Sequence, residues 1–230
     1  MVNISQQYKF IYLKNVKVAG SYLAMILTKY CTTNDYNTYI TNLYKNNEQH
    51  LIKETNTDIG FISSILCKKE NQILTGTFPE HTESFRLKEK FPNIFDNYFK
   101  FCVVRNPYDR IVSRYYWDIK INEIPKDMSF ITFLENEAKE RINKMNDDWY
   151  HRCTLDNQPV CDFYIRFDNL LQDLQKVFDK LSITEPIIDI DINHNPEKKT
   201  TDYRTMFNDY TKDIVTKHCQ KEIDYFNWKF

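Results

Sequence analysis

Residues 98–104, Tyr-Phe-Lys-Phe-Cys-Val-Val, form an apolar run interrupted only by Lys100, and the run stops at Arg105-Asn106-Pro107. An apolar stretch of this length, ended by turn chemistry, reads as a strand covered on both faces, the kind found in parallel sheets. Asn106 is a good N-cap, and Pro107 suits the first helical turn, where its missing N–H costs nothing. A helix is therefore predicted over Asn106 to Lys120. A buried strand that feeds directly into a helix commits the chain to an α/β architecture.

The same alternation recurs. Tyr8 to Leu13 (Tyr-Lys-Phe-Ile-Tyr-Leu) reads as a buried strand, and Ser21 to Tyr30 carries Tyr22, Leu23, Ile26, Leu27 and Tyr30 at helical spacing. Further on, helices are predicted over Phe130 to Met145, Asn169 to Leu181 and Asp209 to Phe226, and a strand over Cys161 to Ile165. The fold class implied is α/β, with a central parallel sheet flanked by helices and a ligand crevice beyond the carboxyl ends of the strands. Residues 32–58 are polar and Asn/Thr-rich, as in a surface excursion, but there is no repeat or linker. The 230 residues read as a single domain, 1–230.

Composition narrows the partners. Lys and Arg number 31 against 32 Asp and Glu, so the formal net charge of -1 argues against a nucleic-acid or anionic-membrane partner; any anion site must be local. No stretch approaches the roughly 20 apolar residues that span a bilayer, and the start lacks a cationic segment followed by an apolar run. A cytoplasmic location is the expectation for the chain as written. Six cysteines without a Cys-x-x-Cys pair argue against a zinc site or a dithiol redox motif. Cys153 and Cys161 are close enough in sequence to close a small loop, two unpaired thiols being the plainer reading.

Two segments carry anion chemistry. Lys14-Asn15-Val16-Lys17-Val18-Ala19-Gly20-Ser21-Tyr22 sits where the first strand meets the first helix, and contains one of only three glycines. It offers backbone N–H groups at a helix N-terminus, a lysine charge and a serine hydroxyl, which is what a phosphate needs. It is not a Walker A loop, because Lys17 precedes the single glycine. A tight turn with a merely solvated lysine is the other reading. In the second segment, Arg105 stands at a strand's carboxyl end and Ser113 lies two turns into the following helix. Guanidinium and hydroxyl together suit a terminal phosphate monoester; the alternative is an Arg105 paired with a helix carboxylate such as Asp109.

Together these segments resemble the sulfotransferases that use 3′-phosphoadenosine 5′-phosphosulfate (PAPS), in particular the carbohydrate branch that includes the heparan and chondroitin enzymes. Lys17-Val-Ala-Gly-Ser21 is similar to the family's 5′-phosphosulfate loop, commonly Pro-Lys-x-x-Gly-Thr-Ser. Phe101-Cys-Val-Val-Arg-Asn-Pro-Tyr-Asp-Arg-Ile-Val-Ser113 resembles its 3′-phosphate motif almost residue for residue. Weaker similarity runs through His81-Thr82-Glu83, Cys161 to Leu170, and Asp202 to Phe230. Val16 stands where the family usually has Pro, and Tyr22 where it has a second hydroxyl.

The resemblance implies a P-loop-like sulfotransferase fold that transfers a sulfuryl group from PAPS to a hydroxyl acceptor, a glycan or a small molecule, leaving PAP and using no metal. Nucleotide contacts are implied for Lys17, Val18, Ala19, Gly20, Ser21, Tyr22, Arg105 and Ser113, with Lys199 and Arg204 from a late basic loop that also holds Lys198. Those last residues read equally as a solvated charged loop. Lys17 stabilises charge on the leaving phosphate, and His81 is the matching general base, because an imidazole accepts a proton near neutrality. His151 is the reserve base. His50 and His218 sit in polar helical contexts, and His194 lies in a loop near the basic run.

Arg166 suggests an internal salt bridge. Tyr115, Tyr116 and Trp117 suit packing, or the lining of the adenine or acceptor cleft. Enzymes of the carbohydrate branch usually carry a membrane anchor, so an excised catalytic domain would place the activity in the Golgi lumen. Two alternatives belong to other classes: a non-catalytic PAP-binding descendant, and an Mg²⁺-dependent small-molecule kinase.

Overall fold

The structure is a computed structural model that describes residues 2–28, 30–31, 36–37, 83–137, 149, 152–187 and 202–230. The chain opens with strand β1 (Val2–Ser5), which turns back antiparallel into β2 (Phe10–Leu13); α1 (Gly20–Thr28) and a two-residue strand β3 (Tyr36–Asn37) follow. Helices α2 (Ser84–Lys90) and α3 (Pro92–Asn97) lead into β4 (Phe99–Val104) and α4 (Pro107–Lys120). A single turn, α5 (Phe130–Thr132), passes into π-helix at Phe133–Glu137. The hairpin β5 (Thr154–Leu155) and β6 (Gln158–Pro159) precedes β7 (Phe163–Arg166) and α6 (Leu170–Lys180), and α7 (Asp209–His218) and α8 (Gln220–Phe226) close the order.

The main sheet has the order β3-β1-β2-β4-β7. Its centre is parallel as expected: β2 pairs with β4 from Phe10↔Phe99 to Leu13↔Cys102, and β4 pairs with β7 from Phe101↔Phe163 to Val104↔Arg166. One edge departs from the parallel pattern: β1 runs antiparallel to both β2 and β3. The cause is a tight reversal. Lys9 takes a left-handed φ of 52°, the Tyr8 N–H donates to Ser5 Oγ (3.3 Å), and Ser5 Oγ donates to the Tyr30 carbonyl (2.9 Å).

Strand periodicity splits the core. Phe10, Tyr12, Phe101, Val103 and Ile165 face Leu23, Ala24 and Leu27 of α1 and Leu174, Val177 and Phe178 of α6. Ile11, Leu13, Cys102 and Val104 face the other way, onto Leu87, Phe95, Trp149 and Trp228. A third cluster joins α4 to α5 and α7 through Tyr108, Ile111, Tyr115, Phe130, Phe133 and Val215. Helices therefore cover both faces of the sheet, as an α/β domain requires.

The helix expected after Arg105 forms as read: Asn106 caps it by accepting the Tyr108 N–H at 3.1 Å. The single helix expected over Asp209 to Phe226 is two, divided at Cys219, whose backbone (φ -108°, ψ 16°) leaves the helical range. Of the helix expected over Phe130 to Met145, the described part changes to π-helical winding at Phe133. Arg110 and Glu222 form a buried bidentate pair, both N–H···O distances 2.6 Å, that ties α4 to α8. Cys153 and Cys161 are free thiols. Among the described residues no helix is long and apolar enough to cross a membrane.

Candidate functional site

β2 and β4 are parallel neighbours, so the segments that follow them emerge at the same end of the sheet. After β2 the chain makes a compact loop into α1, with Lys17 and Ala19 both left-handed (φ 58° and 57°). That conformation costs of order 1 kcal/mol for each non-glycine residue, so the surroundings must enforce it. Three contacts do. Asn15 is buried and donates through Nδ2 to the Val103 carbonyl (2.9 Å), pinning the loop to β4. Arg105 Nη1 donates to the Lys17 carbonyl (2.9 Å). The Lys14 side chain, itself buried, lies across Gly20 so closely that a Cβ there would meet its Cγ at 2.5 Å.

Glycine at position 20 is thus required by the approach of Lys14 rather than by its own dihedrals. Val18 is wholly buried in the core, so it can offer only backbone to a ligand. α1 begins at once, the Leu23 N–H donating to the Ala19 carbonyl (3.1 Å), and the N–H groups of its first turn lack intrahelical partners. Gly20 and Ser21 open this turn, and Tyr22 is partly buried within it.

Lys17 reaches α4, its ammonium 4.1 Å from the centre of the Trp117 ring. Burial, followed by the positive charges of Arg114, Arg105 and Lys120, outweighs the attraction of Asp118 and lowers the Lys17 pKa to about 7. Arg114 is in turn held by Asp118, whose carboxylate is fully buried, at 2.8 Å. The reading of Lys17 as a solvated turn lysine is therefore corrected: the side chain lies against α4 and among cations.

Arg105 is fully oriented. Nε and Nη2 donate to the two carboxylate oxygens of Asp109 (2.6 and 2.8 Å), and the guanidinium stacks 4.1 Å from the Phe167 ring centre. The pairing with Asp109 weighed from sequence is thus present, yet it does not exhaust the side chain. Of five N–H donors three are used among the described residues, which leaves two for an anion. Ser113 is half-buried one turn beyond Asp109, and its hydroxyl has no hydrogen-bond partner among the described residues.

Lys17, Arg105, Arg114 and the start of α1 together make a concentrated positive field at the carboxyl end of the parallel strands. An anionic, phosphate-bearing ligand fits that donor set. Arg204, also named from sequence, is exposed and bonded to Asp202 (3.0 Å). Its neighbour Tyr203 accepts through its hydroxyl from Asn106 Nδ2 (3.3 Å), which sets this short segment beside the start of α4. Arg166 forms no internal salt bridge among the described residues; it lies over the Trp228 ring (3.9 Å) and donates to the Phe226 carbonyl. Tyr115 packs in the core and Tyr116 is exposed. His81, His50, His151, His194, Lys198 and Lys199 lie outside the described residues.

Sequence reasoning placed Lys14 and Asn15 in the first anion segment without giving either a role, and missed Arg114 and Asp118. Arg114 and Asp118 were open to it, being a charge pair four residues apart on the helix that carries Ser113.

A family model described as the sulfotransferase family matches residues 1–227. An uncharacterized protein of Archaeoglobus fulgidus is 29% identical over 100 residues, which is 44% of this chain and 80% of that protein. No solved structure matches the chain.

Proposed function

Because this chain belongs to the sulfotransferase family, we propose that it moves a sulfuryl group from PAPS to the hydroxyl of a carbohydrate or small-molecule acceptor, acting as a single domain. The observation that carries the reading is the convergence of Lys17, Arg105 and the α1 N-terminus at the carboxyl ends of β2 and β4. PAPS supplies the activated sulfur, bonded through oxygen to the 5′-phosphate.

Lys17, with the first N–H groups of α1 and the Ser21 end of the loop, holds the 5′-phosphosulfate. As the bond from sulfur to the phosphate oxygen breaks, the Lys17 ammonium meets the charge that develops there. The free donors of Arg105 and the Ser113 hydroxyl hold the 3′-phosphate, with Lys199 and Arg204 as further cations. His81 takes the proton of the acceptor hydroxyl as its oxygen bonds to sulfur. The products are the sulfate ester, PAP and protonated His81. No step asks for a metal ion.

Calorimetric binding of PAP, with ATP plus Mg²⁺ as comparator, tests this on the wild type and on Arg105→Ala. Micromolar PAP binding that ignores metal and is lost in Arg105→Ala is the expected result. A preference for Mg-ATP would assign a kinase instead. PAP binding with no turnover on any hydroxyl acceptor would assign a non-catalytic nucleotide-binding descendant.

A further inference from the structure

Cys102, Cys153 and Cys161 are scattered in sequence, yet their three Sγ atoms all lie within 4.8 Å of one another. Cys102 belongs to β4, while Cys153 and Cys161 flank the β5–β6 hairpin, which is closed by the Val160 N–H donating to the Cys153 carbonyl (2.9 Å). The hairpin thus delivers two thiols onto one residue of the central sheet. Spacing rules find metal sites built from local Cys-x-x-Cys pairs, and a site assembled in this way escapes them.

We infer that these three thiols form a binding site for one soft, thiophilic d¹⁰ cation, zinc or monovalent copper. Sulfurs held about 2.3 Å from a tetrahedral ion stand about 3.8 Å apart, so the cluster closes on an ion by shifts of about 1 Å or less. Among the described residues the ligand set is thiol alone, with no carboxylate or imidazole in the cluster, which selects soft ions over magnesium or calcium. An outer shell is present. The Asn15 amide donates to Cys102 Sγ (3.7 Å), and its carbonyl oxygen accepts from Cys153 Sγ (3.6 Å), so that oxygen or a water can complete a fourth position. Leu13, Val104, Trp149 and Trp228 pack around the cluster, and Cys161, its one partly exposed member, lies on the side from which an ion enters. Binding displaces three thiol protons; with zinc one excess negative charge remains, which the neighbouring Arg152 balances. This inference does not rest on the transfer reaction.

The full-length protein, reduced with a phosphine and freed of metal, is titrated with Cd²⁺, a spectroscopic stand-in for zinc. The expected result is an ultraviolet thiolate-to-metal charge-transfer band that saturates at one Cd²⁺ per chain with the intensity of three thiolates. Outer-shell losses alone cost about 10- to 100-fold in affinity, so Cys161→Ser should weaken Cd²⁺ binding by more than about 100-fold, and Cys31→Ala should leave it unchanged. Competition with Zn²⁺ and with Cu⁺ then identifies the preferred ion. Cys102→Ser serves as the second variant, with circular dichroism reporting the fold of each. No saturable band, or a band undiminished by either substitution, overturns the inference.

Discussion

The ammonium of Lys17 rests over the indole of Trp117, 4.1 Å from its centre, although the two residues lie on different elements. The ring shields the amine from water while the cations around it oppose its charge, which sets its pKa near 7. A bound phosphate reverses that balance. PAP binding at pH 8 should therefore take up close to one proton, read as a dependence of the binding enthalpy on buffer ionisation heat. Trp117→Ala lets water reach the amine and returns it toward its ordinary value of 10.5, so the uptake at pH 8 should disappear.

The same depressed pKa has a stability consequence of definite sign. Between about 7 and 10.5 the unfolded chain holds a proton on Lys17 that the folded chain has lost, so this group's contribution rises with pH across that window and is lost as pH falls through 7. Lys17→Met should melt higher than wild type at pH 6. The difference should shrink as pH is raised from 7 to 9, while PAP binding is lost throughout.

Arg105 and Ser113 differ in what they owe to the fold. Arg105 holds Asp109 and the Lys17 carbonyl, so Arg105→Lys, which keeps the charge but loses the fork, should lower both the melting temperature and, by at least about tenfold, the PAP affinity. The Ser113 hydroxyl has no partner among the described residues. Ser113→Ala should leave melting unchanged and weaken PAP by about 3- to 10-fold, the worth of one hydrogen bond.

Gly20→Ala forces a Cβ against the buried stem of Lys14, with Cγ, Cε and Cδ at 2.5, 2.7 and 2.9 Å. The expected cost is about 1–3 kcal/mol in urea unfolding, with weaker PAP binding as the loop shifts. Adding Lys14→Ala should restore part of the stability; a double variant no more stable than Gly20→Ala alone would show that the clash is not the cause.

The Arg110–Glu222 pair is an all-or-nothing contact. Glu222→Ala strands a buried guanidinium and should cost about 3–5 kcal/mol, whereas Arg110→Met combined with Glu222→Leu should come close to neutral. Urea unfolding of the two variants separates a pair that stabilises the fold from one that merely satisfies itself.

Where the sequence was legible, local chemistry and tertiary demand agreed. The Val104-Arg105-Asn106-Pro107 junction carries strand, cap and helix start in consecutive residues, and it folds as read. α6 likewise follows its apolar period. β1 was not read, because Val-Asn-Ile-Ser alternates apolar and polar for only four residues, too short a run to stand out, and its polar residues Asn3 and Ser5 are buried by tertiary contacts that the sequence does not show. The break at Cys219 leaves no trace in an amphipathic pattern that runs through it. In the site, Lys17 and Arg105 could be named from residue type and position, but the depressed lysine pKa and the self-paired arginine depend on α4 crossing the loop. The meeting of Cys102, Cys153 and Cys161 is purely tertiary and has no local signature.

The parallel pairing of β2 with β4 also governs when the site can exist. Phe10 and Phe99 are about 90 residues apart, and closing a loop of that length must precede any reward from the contact. Asn15 anchors its loop on Val103 and Arg105 reaches back to Lys17, so nothing at the anion site is oriented until that closure has occurred. Nucleotide affinity should therefore emerge late in refolding, with the slow long-range step rather than with helix formation. A ribosome-bound chain that has not yet exposed residue 104 has no means of recognising its ligand.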